Sequence, residues 1–66
     1  MTITDIEKAI GNERRKPLIL VLESGLQLTL SPDSYGKTKN GELLFIPLEG
    51  REFAIVETSS VKTILK

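Results

Sequence analysis

Gly36-Lys37-Thr38 has the residue types that end a phosphate-binding loop, in which backbone N–H groups cradle a phosphate and a lysine meets its charge. Such a loop needs a glycine five residues ahead of Gly36. That position holds Ser31, and Pro32 beside it has no N–H to donate. Asn40-Gly41 also stops any helix soon after Lys37, where a phosphate loop opens a long one. The stretch does not read as a nucleotide-hydrolysis site.

Acid–base and nucleophilic chemistry have little to work with. The 66 residues include no His and no Cys. That removes Ser-His-Asp and Cys-His arrangements, disulfides, and the common zinc, iron–sulfur and haem sites. Ser59-Ser60 followed by Lys62 sets no base beside a nucleophile. The pairs Glu49/Glu52 and Glu52/Glu57 read as solvent-facing carboxylates, and no segment follows the calcium-loop pattern. A chain this short also leaves no room to enclose a pocket of about 300–1,000 Å³. The expectation is a protein that is not an enzyme, with no catalytic residue, no metal and no cofactor.

Binding chemistry remains. Arg14, Arg15 and Lys16 follow one another in the joint between two elements, and Lys37 and Lys39 lie in the long polar stretch SPDSYGKTKNG with Tyr35. Five cations could meet phosphates or an acidic protein surface, and Tyr35 adds a ring. The same residues also read as a solvated linker and an ordered connector. Ser31-Pro32-Asp33 predicts one helical turn over 32–37, with the Tyr35 ring folded back and its hydroxyl in water. Phe45 and Phe53 sit in apolar runs and read as core, which leaves too few rings for a base-stacking platform. Nine Lys and Arg balance nine Asp and Glu, so no global charge draws nucleic acid.

The elements that must position these groups are short. Thr4 with Glu7 fits a capping box, Gly11-Asn12 a left-handed stop, and Ile3, Ile6 and Ile10 one stripe, giving a helix over 3–11. After Pro17 the period becomes two. Strands are expected over 18–23, 26–30, 42–47, 52–57 and 61–65, with turns at Ser24-Gly25 and 48–51 and a 3₁₀ turn at 58–60. The whole chain, 1–66, then forms one small β-barrel domain.

The order helix, hairpin, polar loop, strand, tight turn, strand, short turn, strand resembles the SH3-like barrels. With a helix in front, and with the closing stretch from Phe53 to Ile64, it is similar to Sm-like proteins. The resemblance implies a mainly β fold: a five-stranded SH3-like (Sm-like) barrel with a short N-terminal α-helix. No glycine lies between Thr58 and Lys66, where Sm-like proteins carry one.

The functional expectation is a non-catalytic binding or assembly module, or a small regulator, acting through protein–protein contacts with a protein partner or with itself as a homo-oligomer. More apolar surface is present than one tiny core can hide, and sheet edges are natural contacts. The alternative is an Sm-like nucleic-acid binder using Arg14, Arg15, Lys16, Lys37 and Lys39. The longest apolar run, Leu18–Leu22, falls far short of the roughly 20 residues that span a bilayer. No membrane partner and a cytoplasmic location are expected.

Overall fold

The computed structural model describes residues 1–11 and 16–65. Helix α1 (Ile3–Ile10) leads to β1 (Leu18–Leu22), β2 (Gln27–Leu30), β3 (Gly36–Lys37), β4 (Leu43–Pro47) and β5 (Phe53–Glu57). A 3₁₀ turn (Thr58–Ser60) then delivers the chain to β6 (Val61–Leu65). The strands form two antiparallel sheets of three, ordered β2-β1-β6 and β3-β4-β5. The protein is mainly β, as expected, but the described residues form six strands rather than five and no closed barrel.

Both departures have local causes. Pro32 supplies no N–H, and a turn closed by the Ser34 N–H donating to the Ser31 C=O at 2.9 Å breaks the strand after Leu30. The chain emerges as β3, paired with β4 in the other sheet. That turn and short strand replace the helical turn expected over 32–37. At the far end, the 3₁₀ turn moves the chain from one sheet to the other, so β5 and β6 are both edge strands.

The helix starts at Ile3, within the expected 3–11, but its cap is not the Thr4/Glu7 pair. Thr2 is the N-cap and Asp5 its capping-box partner: the Asp5 N–H donates to Thr2 Oγ1 at 3.3 Å, and the Thr2 N–H to Asp5 Oδ2 at 3.0 Å. Ile3 lies inside the helix and shares the expected stripe with Ile6 and Ile10. The helix ends at Gly11, whose φ of +58° suits glycine and whose N–H donates to the Glu7 C=O; Asn12 lies outside the described residues. Eight residues make a marginal helix in water, so its stability comes from burying Ile6 and Ile10.

One core joins the helix and both sheets. Ile6 and Ile10 from the helix meet Leu18, Leu20, Leu30 and Val61 from one sheet and Leu44, Ile46 and Val56 from the other. Each is worth about 1.5–3 kcal/mol when fully buried. The alternation expected over 26–30 holds within Gln27–Leu30, with Leu28 and Leu30 inward and Gln27 and Thr29 outward, while Leu26 precedes the strand and is exposed. Two contacts tie the layers together. Thr58, buried, donates its hydroxyl to the Gly41 C=O at 3.0 Å and its N–H to the Glu42 C=O at 2.9 Å. Gly41 has φ +74°, and a Cβ there would lie 2.5 Å from Ile3 Cγ2, so only glycine lets the helix seat. Among the described residues, no helix is long and apolar enough to cross a membrane.

Candidate interaction surface

The basic residues do not assemble into one described site. Arg14 and Arg15 lie outside the described residues, and Lys16 is exposed. Tyr35 is half-buried and packs on the core. Lys37 stands on β3, and its Nζ lies 3.2 Å from Glu7 Oε1 on the helix, so part of its charge is already answered. Lys39 is exposed beside a shallow groove of about 590 Å³ shared with Thr38, Asn40, Glu42 and Leu43.

The polar side chains of this loop build its own turn. Asn40 Oδ1 accepts from the Thr38 hydroxyl at 2.7 Å and from the Glu42 N–H at 3.0 Å, and Thr38 Oγ1 accepts from the Leu43 N–H at 3.1 Å. The main chain of Thr38 and Leu43 pairs as well, extending the β3–β4 ladder. This is the side-chain-to-backbone bonding that favours Asn and Thr in turns. Gly36 is paired directly with Phe45, and a Cβ there would touch the Phe45 ring at 3.7 Å. Its bare backbone leaves the flank of that ring open.

The exposed chemistry is on the outer face of β3-β4-β5. Leu44, Ile46 and Val56 face the core, so the intervening Leu43, Phe45, Pro47, Phe53 and Ile55 face out. Phe53 is 59% exposed and Ile55 60%, while Phe45 is half-buried. Phe45 and Phe53 therefore leave the core expected of them and form an edge-to-face pair, centroids 6.4 Å apart at 75°. With Pro47, Leu48, Gly36 and Ser34 they line an open groove of about 500 Å³, and Arg51 and Glu52 stand at its rim.

The edge of the same sheet is open. Thr58 and Leu48 bond to Glu42 and Glu52 through their backbones. Carried along the register, this makes Leu44/Val56 and Ile46/Ala54 the hydrogen-bonded pairs. Phe53 and Ile55 thus aim N–H and C=O away from β4, Glu57 aims its N–H there while its C=O caps the 3₁₀ turn, and no further strand among the described residues lies there. On the other sheet, Leu22 bonds to Leu26 and Glu23 to Ser60, so Ile19 and Val21 bond to β6 at Leu65 and Thr63. The open edge of β6 is left to Lys62 and Ile64.

Electrostatics shift the Asp5 carboxyl. The Thr2 N–H and then the Thr2 hydroxyl, both donating to Asp5, hold its pKa below the ordinary 3.8. Asp5 is a capping group away from the groove. Among the described residues, no three carboxylates converge as a cation site.

No family model, curated protein or solved structure matches this chain. Sequence reasoning expects surplus apolar surface but does not place it on Phe45, Pro47, Phe53 and Ile55, because both faces of 42–47 and 52–57 are largely apolar. The signal available is the neighbouring β2 alternation, which shows what a solvated outer face looks like here.

Proposed function

We propose that the protein is a non-catalytic binding and assembly module that works through protein–protein contacts at β5 and the outer face of its sheet. The observation that carries this reading is the apolar outer row of Phe45, Pro47, Phe53 and Ile55 beside an unpaired strand edge. Folding does not require that row, because the opposite face of the same strands already supplies the core. Apolar side chains placed outward on an edge strand invite aggregation unless a partner covers them. The open groove has few polar groups to fix a small substrate, which favours a protein surface over catalysis.

The nucleic-acid alternative rests on Lys16, Lys37 and Lys39 among the described residues and has less behind it. Lys37 is bridged to Glu7, and Tyr35 packs inward rather than offering its ring. Light scattering across a concentration series, with and without a mixed-sequence single-stranded oligonucleotide, separates the two. The expected result is a mass that rises with protein concentration and ignores the oligonucleotide, and Ile55→Lys abolishes the rise. A complex with the oligonucleotide that weakens steeply with salt and needs Lys37 and Lys39 would overturn the reading.

A further inference from the structure

Resting on that reading, we infer that the partner at β5 is a second copy of the chain, joined by an antiparallel β5–β5′ ladder across a two-fold axis at Ile55. The outward-aimed backbone groups are the N–H and C=O of Phe53 and Ile55 and the N–H of Glu57, whose C=O caps the 3₁₀ turn. A register placing Ile55 opposite Ile55′ sets Phe53 opposite Glu57′, so the Ile55 pair exchanges both bonds, the Glu57′ N–H meets the Phe53 C=O, and the Phe53 N–H meets the second lone pair of the Glu57′ C=O. The edge is its own complement, which is what an isologous contact requires. Because paired residues share a face, the outer rows of the two copies merge into one apolar surface.

Charge fits the same register. Arg51 lies two residues before Phe53, so it becomes the diagonal neighbour of Glu57′, and the contact repeats across the axis. A parallel arrangement would set Glu57 beside Glu57′ instead. Area limits the strength. With Phe53 and Ile55 more than half exposed, the strand and its flanks bury on the order of 400 Å² per copy, about half the standard interface. Association is therefore in the micromolar range or weaker.

Pairing β5 with β6 of another copy does not fit. The free groups of β6 belong to Lys62 and Ile64, and Ile64 pairs with buried Leu20, so its side chain faces the core. Bonding Ile55 to Ile64′ would make the outer face of one sheet continuous with the core face of the next. Lys62 also places a charge on that edge, and the N-terminal ammonium of Met1 occupies the Val61 C=O at 3.0 Å.

The absence of cysteine makes the test clean. Ile55→Cys places two thiols across the axis within disulfide reach, while Lys62→Cys marks the other edge. Under mild oxidation, with folding checked by circular dichroism, Ile55→Cys should give mainly covalent dimer and Lys62→Cys should lack that product. A mixture of Phe53→Cys and Glu57→Cys should give the mixed dimer in preference to either homodimer. If wild-type mass rises with concentration but the Ile55→Cys variant fails to cross-link, or the Lys62→Cys variant cross-links instead, the two-fold ladder is wrong and the assembly reading stands. If the mass stays monomeric and no variant cross-links, both fail.

Discussion

The two sheets share one core and have the same number of strands, yet their outer faces differ. Sheet β2-β1-β6 turns Gln27, Thr29 and Thr63 outward among Ile19, Val21 and Leu65. Sheet β3-β4-β5 turns out Leu43, Phe45, Pro47, Phe53 and Ile55, with Glu57 the polar member of the paired rows. Both inner faces contribute equally apolar side chains to the core. Folding therefore explains the inner faces and does not by itself account for the second outer face, which is where the proposed contact is placed.

The comparison breaks most sharply within one sheet. Leu44, with no exposed surface, and Ile55, mostly exposed, sit on adjacent strands and opposite faces. Leu44→Ala should cost about 2–5 kcal/mol, enough to unfold most of so small a domain. Ile55→Ala should stay within about 0.5 kcal/mol in dilute solution. Chemical denaturation checks both, and a large loss from Ile55→Ala in the monomer would mean that the outer face serves folding after all.

A middle-sized effect tests how the helix and the sheet are joined. Gly41→Ala forces a left-handed backbone on a residue whose Cβ also meets Ile3. It should cost more than about 1 kcal/mol, seen as a lowered midpoint of unfolding. An unchanged midpoint would show that the helix can shift at little cost, and with it the seat of Ile3.

How much of this is legible in the sequence depends on whether a strand has one polar face. Gln27–Leu30 alternates, so its inward Leu28 and Leu30 can be read from residue types, though the same pattern wrongly extends to Leu26, which is exposed. In 42–47 and 52–57 both faces are apolar, so period two carries no sign, and Phe45 and Phe53 read as inward when they face out. The helix stripe is plain, but two Thr-x-x-acid pairs compete for its cap, and residue types alone do not favour Thr2 over Thr4. Separation into two sheets depends on the turn at Ser31–Ser34, which its residue types present as helical. Of the candidate site residues, Lys37 finds a carboxylate partner that lies far away in sequence.

Smaller effects sharpen the edges of the account. Thr2→Ala removes the cap of α1 and should cost about 1 kcal/mol. Because the Asp5 pKa is lowered in the folded chain, its stabilisation is present above pH 3.8 and is lost as pH falls through the folded value. Helix content followed by circular dichroism should fall below about pH 4, and less so in Thr2→Ala. Smallest is Lys37→Ala: the bridge to Glu7 is exposed on both sides and should be worth about 0–1 kcal/mol, fading with salt.

The most direct test of the outer face as the contact surface is a dilution series followed by amide chemical shifts. The account predicts concentration-dependent shifts centred on Phe53–Glu57 and reaching Phe45 and Pro47's neighbours, with β6 and the Lys37–Asn40 turn nearly still. Shifts centred on β6 or on that turn, or none up to millimolar concentration, would contradict it.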